Sequence, residues 1–502
     1  MRKIPVTMAT QHPDNAREAF FNGRRFVSAQ EEIEECYRCF AELGVEEYMW
    51  DWEGKFVDES VMDRLYSQYR DFFCENQIGK DVFLTFRIPN IWLESSHKLP
   101  RAFMNMITAQ EAARNFEMHT PPLFEVILPM TESSDQLKYI HKTFAKIAAA
   151  TEEIFEMESS LKTIEVIPLF EKFEVVRDAK RILREYIEFM RGVYGSNPEY
   201  LRIFTARSDP AMNIGFLAAK VLSKLAINAY HEFGDEEGIE VYPWIGGGAL
   251  PFRGGINPEN VDAVIEEYAG VGSLTVQSAF RYDYDLAEAK AAIEKFNLEV
   301  PKRRKDYLRL NAEEVAALEL FIEKAEVDFS ETVEEIADLI NEVAEKLPNH
   351  RERVQHVGLF GYSRGVGKVT LPRAIKFCGA LYSLGIPPEL IGSGRALLIA
   401  KEMGILDLVK RVCPYLKADF AHAGHYLNRE NLEMLAVKYP SLKKVAEEIS
   451  VIEDLVGVKI GPEKMHHMLH RNFASNVYFK LDLGEEFGED VLLAAEIRKS
   501  LG

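Results

Sequence analysis

The sequence has no run of 18 apolar residues and no short apolar stretch behind a basic N-terminus. Neither a membrane-spanning helix nor a secretory leader can be read from it, and a cytoplasmic protein is expected. Cysteine is scarce: the five residues Cys36, Cys39, Cys74, Cys378 and Cys413 form no disulfide framework. Cys36-x-x-Cys39 lies in the helical stretch EEIEECYRCF without a second such pair, so reduced thiols packed near a helix face are expected rather than zinc. Basic residues are outnumbered, 60 Lys and Arg against 80 Asp and Glu, for a net charge of -20. That balance excludes general nucleic-acid binding, which needs a basic surface. A small anionic substrate stays allowed, because a few arginines can make one cleft locally positive. No repeat and no low-complexity linker breaks the chain.

What is present is a rhythm. Across 502 residues that are 47% hydrophobic, short apolar runs recur at 46–54, 82–89, 124–130, 163–171, 201–209, 240–248, 273–281 and 356–364. The first seven begin 33 to 42 residues apart, with helical patterns such as DQLKYIHKTFAKIAAATEEIFE between them. Strand, helix, strand at this spacing is the pattern of a parallel sheet buried on both faces. Eight such strands predict a closed (β/α)8 TIM-type barrel over residues 1–371. The charged helical stretch 282–355 reads as helices inserted before the eighth strand, and residues 372–502 as a helical C-terminal region packed on the barrel.

Barrel enzymes place their chemistry at the C-terminal ends of the strands. The polar residues expected there are Asp51 with Glu53, Arg87, Thr131 with Glu132, Glu171, Arg207 with Asp209, Arg253 after three glycines, Arg281 and Arg364. Taken singly, each is an ordinary surface or ion-pair residue. Together, the arginines describe a cleft for a multiply charged anion, since the planar guanidinium suits carboxylate and phosphate. One or two carboxylates plus substrate oxygens is how magnesium or manganese is usually held, and Glu171 and Asp209 are the neatest pair. GYSRGVGKVT (361–370) misses the register of a phosphate-binding P-loop and reads as a mobile loop hinged at Gly365 and Gly367. IGGGALPFRGG lacks the dinucleotide-binding register, and the three histidines of MHHMLH (465–470) lack a carboxylate partner for a metal.

The N-terminal segment T-M-A-T-Q-H-P-D-N (7–15) puts His12 before a proline that disfavours helix, on an extended arm or loop. This segment resembles the N-terminal signature of the archaeal-type phosphoenolpyruvate carboxylases, and further motifs follow in the family's order. The resemblance implies a catalytic histidine at His12 and substrate arginines at Arg87 (LTFRIPN), Arg373 (LPRAIKF) and, more loosely, Arg281. It implies metal ligands at Glu171 (VIPLFE) and Asp209 (ARSDPAMNIG), and catalytic arginines at Arg253 (LPFRGG) and Arg364 (GYSRGVGK). Where the larger enzymes of the family carry H-G-R-G-G, this chain has I-G-G-G-A, so their second catalytic histidine has no counterpart.

The activity so implied joins phosphoenolpyruvate and bicarbonate to give oxaloacetate and phosphate, with Mg2+ or Mn2+ as cofactor and a homotetramer as assembly. Two other readings of the same rim stay open. One is a different metal-dependent barrel lyase or aldolase acting on a pyruvate enolate. The other is a barrel that senses anionic metabolites without turnover.

Overall fold

The seven apolar runs between residues 46 and 281 each supply a strand. In the computed structural model, which describes residues 2–52, 59–93, 97–155, 161–351, 364–366 and 369–502, these are β2 to β7 and β8 of a closed parallel barrel. The barrel strands are β1 (Thr7–Ala9), β2 (Glu47–Asp51), β3 (Phe83–Arg87), β4 (Glu125–Leu128), β5 (Glu165–Phe170), β6 (Tyr200–Ala206), β7 (Glu240–Gly246) and β8 (Ser273–Val276). Helices cross between them, among them Lys98–Asn115, Ser134–Phe155, Ala179–Tyr194 and Phe216–Glu237. This is the (β/α)8 architecture expected from the spacing.

One strand differs from expectation. The arm Thr7–Ala9 is itself β1, pairing Met8 with Glu47 of β2 on one side and with Thr275 of β8 on the other. Of the run 356–364, residues 356–363 lie outside the described residues, while Arg364–Val366 forms β9 of an antiparallel hairpin with β10 (Val369–Leu371), apart from the barrel. A three-residue strand gives no periodicity to detect; pairing on both edges is what holds it extended. The helices of 282–355 therefore follow the closing strand instead of preceding it. Leu286–Arg303 packs against β1, where the Thr7 hydroxyl donates to Asn297 Oδ1 at 2.7 Å.

The barrel interior is filled in layers. Met8, Met49, Ile127, Ile167, Leu169, Phe204 and Trp244 form the apolar layer, with Phe204 and Trp244 stacked at 4.3 Å. A Cβ on Gly246 would lie 2.4 Å from Phe204 Cε2, so the ring occupies the space any side chain there would need. Below this layer, Arg202 is fully buried between Glu47 (2.6 Å) and Glu125 (2.8 Å). These ion pairs close the barrel floor and leave the upper end for the site.

The C-terminal region is held to the barrel by more than apolar contact. Asn311 caps helix Ala312–Glu335 reciprocally with Glu314, and that helix packs on both Phe216–Glu237 and Ser393–Glu402. Buried Lys220 on a barrel helix pairs with Glu267 at 3.2 Å and also with Asp419 of helix Leu416–Gly424. Beyond Leu371 the described residues contain helices and turns and no strand. Cys36, Cys39, Cys378 and Cys413 are buried free thiols and Cys74 an exposed one. No helix among the described residues is long and apolar enough to cross a membrane.

Candidate active site

Because the arm is a barrel strand, His12 leaves the C-terminal end of β1 and not a tail lying over the barrel. Thr10 N donates to Val276 O at 3.3 Å, extending the β1–β8 pairing by one residue. Pro13 then prevents helix, and the chain turns with Asp14 N bonded to His12 O at 3.0 Å. The His12 ring is half-buried, its Nδ1 lying 2.8 Å from Thr10 Oγ1. Burial, then the charges of Arg87, Arg253 and Arg373, hold the imidazole well below its ordinary pKa, and Asp51 opposes them only in part. A neutral imidazole among three guanidinium groups is a base in an anion-attracting cleft.

Each of those arginines comes from a different part of the chain. Arg87 ends β3 and is clamped by Asp51 at the end of β2 through two bonds of 2.9 and 2.6 Å. The backbone of Asp51 is tied in turn to Gln11 Oε1 at 3.0 Å, so the β2 and β1 ends are fixed together. Arg373 is the N-cap of helix Ala374–Ser383. Arg253 is 2% exposed and has four bonds: Ser208 Oγ at 3.2 Å, Asp14 Oδ2 at 2.9 Å, Gly502 O at 2.6 Å and Gln277 Oε1 at 2.5 Å. Four of the five N–H groups of its guanidinium are thus committed to protein acceptors. The glycines before it serve this packing, since a Cβ on Gly248 would lie 2.7 Å from Arg253 Cζ.

Asp14, two residues past His12, is the hub of this arrangement. Its carboxylate accepts from Arg253 and from Ala279 N at 2.8 Å, and its carbonyl accepts from Leu501 N at 2.7 Å. Burial lifts its pKa above the ordinary value, with Arg253 acting against the rise. Ser208, Gln277 and Gly502 likewise meet Arg253 across 24 to 249 positions of sequence. Local pattern carries no signal for such contacts.

The other expected residues divide. Glu171 directly follows β5 and Asp209 lies in the first turn of helix Ser208–Ile214, just past β6. β5 and β6 are neighbours in the barrel, so the two carboxylates leave adjacent strands. Among the described residues no group of three or more His, Cys, Asp or Glu side chains could hold a metal, the MHHMLH histidines included. A site made from this pair would therefore draw its remaining ligands from water and substrate oxygens, which is how magnesium and manganese are commonly bound.

Arg281 is not brought into the cleft. Its guanidinium is fully buried beneath the His12 turn, paired with Glu35 at 2.9 Å and donating to Thr10 O at 2.6 Å. Arg207 is also buried, its side chain packed beside Gly254 in the loop that carries Arg253. Glu132 is spent on an ion pair with Lys172 at 2.5 Å. Arg364 is the first residue of β9, but its side chain lies outside the described residues, as do Glu53, Gly367 and Lys368.

A family model described as phosphoenolpyruvate carboxylase matches residues 4–502. The chain belongs to the phosphoenolpyruvate carboxylase family. A phosphoenolpyruvate carboxylase from Oenococcus oeni is 39% identical over 483 residues, covering 95% of this chain and 94% of the relative. Archaeal relatives of the same name align over the whole of both chains, at 38% identity for Metallosphaera sedula and 36% for Methanothermobacter thermautotrophicus. The likeness to the archaeal-type phosphoenolpyruvate carboxylases suggested by the N-terminal motif thus extends to both ends of the chain.

Proposed function

We propose that this protein carboxylates phosphoenolpyruvate with bicarbonate, giving oxaloacetate and phosphate. The arrangement that carries the reading is His12 just past the C-terminal end of β1, with the charges of Arg87, Arg253 and Arg373 all acting on its imidazole. Phosphoenolpyruvate brings a carboxylate and a phosphate, and bicarbonate adds a third negative group. Only a strongly cationic cleft lets the three meet.

In the first step a bicarbonate oxygen attacks phosphorus. The bond from phosphorus to the enol oxygen breaks, leaving carboxyphosphate and the enolate of pyruvate. Arg253, Arg364 and Arg373 stabilise the charge on the transferring phosphoryl group, and Arg87, held by Asp51, receives the substrate's anionic end. In the second step His12 accepts the proton of carboxyphosphate, which splits into carbon dioxide and phosphate. The enolate carbon then attacks carbon dioxide, closing oxaloacetate. A neutral histidine fits a proton acceptor at this stage. Arg281 supports the cleft from below through Thr10 rather than touching substrate.

Glu171 and Asp209 are the residues that would hold Mg2+ or Mn2+. When bound, the divalent ion supplies positive charge against the enolate and phosphate oxygens. The protein is further read as a cytoplasmic homo-oligomer, a homotetramer by its family resemblance, with no nucleic-acid or membrane partner.

The test is a coupled assay for oxaloacetate with malate dehydrogenase, run with and without bicarbonate alongside phosphate release. Both products should depend on bicarbonate. Oxaloacetate-independent turnover of a pyruvate enolate would favour a lyase or aldolase, and binding of phosphoenolpyruvate without turnover would favour a sensor.

A further inference from the structure

The hydrogen bonds around Arg253 leave two donors uncommitted, and both lie at the same contact. Arg253 commits Nε to Ser208 Oγ, the two hydrogens of Nη1 to Asp14 Oδ2 and Gly502 O, and one hydrogen of Nη2 to Gln277 Oε1. The fifth N–H of the guanidinium therefore belongs to Nη2, the nitrogen that Gln277 touches. Gln277 directly follows β8 and is the N-cap of helix Ser278–Tyr282. Arginine only donates, so the atom of the Gln277 amide that meets it is assigned as the oxygen. Its Nε2, with two hydrogens, then points away from that bond. Among the described residues no acceptor takes this nitrogen. Water still reaches it, whereas Arg202 Nε and Trp244 Nε1, also without partners among the described residues, are sealed inside the barrel. A donor left open in a side chain only 5% exposed is placed for a ligand.

An anion that takes the last Nη2 hydrogen lies beside the Gln277 amide and meets Nε2 as well. Two neighbouring N–H donors, one of them on a guanidinium, suit two oxygens of one planar oxyanion. Position in the barrel selects between the reactants. Gln277 follows Val276, which pairs with Ala9 of β1, so it stands beside the strand that presents His12. Arg87, on β3, receives the anionic end of phosphoenolpyruvate. The carboxyl group of carboxyphosphate gives its proton to His12, and that group enters as bicarbonate. Bicarbonate therefore belongs on the His12 side of the cleft, where Gln277 is.

We propose that Gln277 binds bicarbonate, its Nε2 and the last N–H of Arg253 holding two oxygens of the anion beside His12. The proposal rests on the carboxylation reading above and adds to it the residue that recognises the carbon donor. Arg253, with one N–H left, supplies mainly charge, which also reaches the phosphoryl group under attack. The amide supplies the second directional bond.

Steady-state kinetics on the full chain test it, with phosphate release followed as bicarbonate and phosphoenolpyruvate are varied in turn. Gln277→Glu keeps an oxygen for Arg253 and replaces the donor with an acceptor. Its KM for bicarbonate should rise by roughly 10–100-fold, the scale of a hydrogen bond to a charged group, while KM for phosphoenolpyruvate stays at the parental value. Gln277→Met, neutral and of similar length, should show the same selective rise, which separates loss of the donor from repulsion by a new charge. A parental KM for bicarbonate in either folded variant would overturn the proposal. So would equal rises in both KM values, which would mean that Gln277 only steadies Arg253. Where one variant fails to fold by circular dichroism, the other decides. A parent chain that releases phosphate without bicarbonate would remove the carboxylation reading itself, and the bicarbonate site with it.

Discussion

The hydroxyl of Thr10 lies 2.8 Å from Nδ1 of His12, two residues further on, and the carbonyl of the same threonine is held by Arg281 at 2.6 Å. One residue thus anchors the imidazole on one side and a buried ion pair on the other. Removing the hydroxyl while keeping the shape isolates the first contact. Thr10→Val should lower oxaloacetate formation by roughly 10–100-fold, the scale seen when a group that orients a functional histidine is lost. Thr10→Ser should restore most of the rate, and the pH profile of kcat should shift in the valine variant alone. An unshifted profile at parental rate would show that the ring is oriented by something else.

His12 itself separates the two chemical steps. His12→Asn should still release phosphate from phosphoenolpyruvate in the presence of bicarbonate. Oxaloacetate should fall by roughly 10²–10⁴-fold, the range for a positioned proton-transfer group, with pyruvate appearing in its place. Equal loss of phosphate and oxaloacetate would move His12 to phosphoryl transfer or substrate positioning.

Glu171 and Asp209 are tested by the cation. Glu171→Gln or Asp209→Asn should raise the concentration of magnesium or manganese needed for half-activation by an order of magnitude or more. Unchanged activation curves in both variants would take the pair out of the metal site.

A pH prediction concerns Glu389, whose Oε1 accepts from Phe252 N at 2.7 Å and Tyr382 OH at 2.8 Å, one residue from Arg253. Complete burial is the main cause that pushes its pKa up to about 7, and its second oxygen has no partner among the described residues. A carboxyl whose folded pKa exceeds its unfolded value favours the fold below about pH 4.5. It loses that contribution as pH rises through 7. Glu389→Gln mimics the protonated form and keeps the Oε1 acceptor. Relative to the parent, it should gain about 1–3 kcal/mol in urea unfolding at pH 8 compared with pH 5. A constant difference across that range would mean Glu389 is not protonated in the fold.

Seven strands and the barrel class were legible in the linear chain, whereas Arg87 and Arg253 stand out there only as strand-end arginines, and His12 and Arg373 only through the motifs that resemble the family's. Parallel strands buried on both faces leave long apolar runs at regular spacing, and such runs need no knowledge of partners. Arg281 shows the limit of that reading. In helix Ser278–Tyr282, just past β8, it stands where the resemblance implies a substrate arginine, but Glu35, 246 residues away, pairs with it beneath the His12 turn.

What the sequence determined by itself is therefore periodic or local: strands of four to seven residues, helix caps, and the proline that frees His12 from helix. What only the tertiary structure decided is closure and commitment. Three residues with no pattern of their own became β1 because β8 and β2 offered unpaired edges on both sides. Asp14 became a hub because Arg253, Ala279 and Leu501 converge on it. Buried polar groups must find partners wherever the fold brings them, and those partners need not be near in the chain.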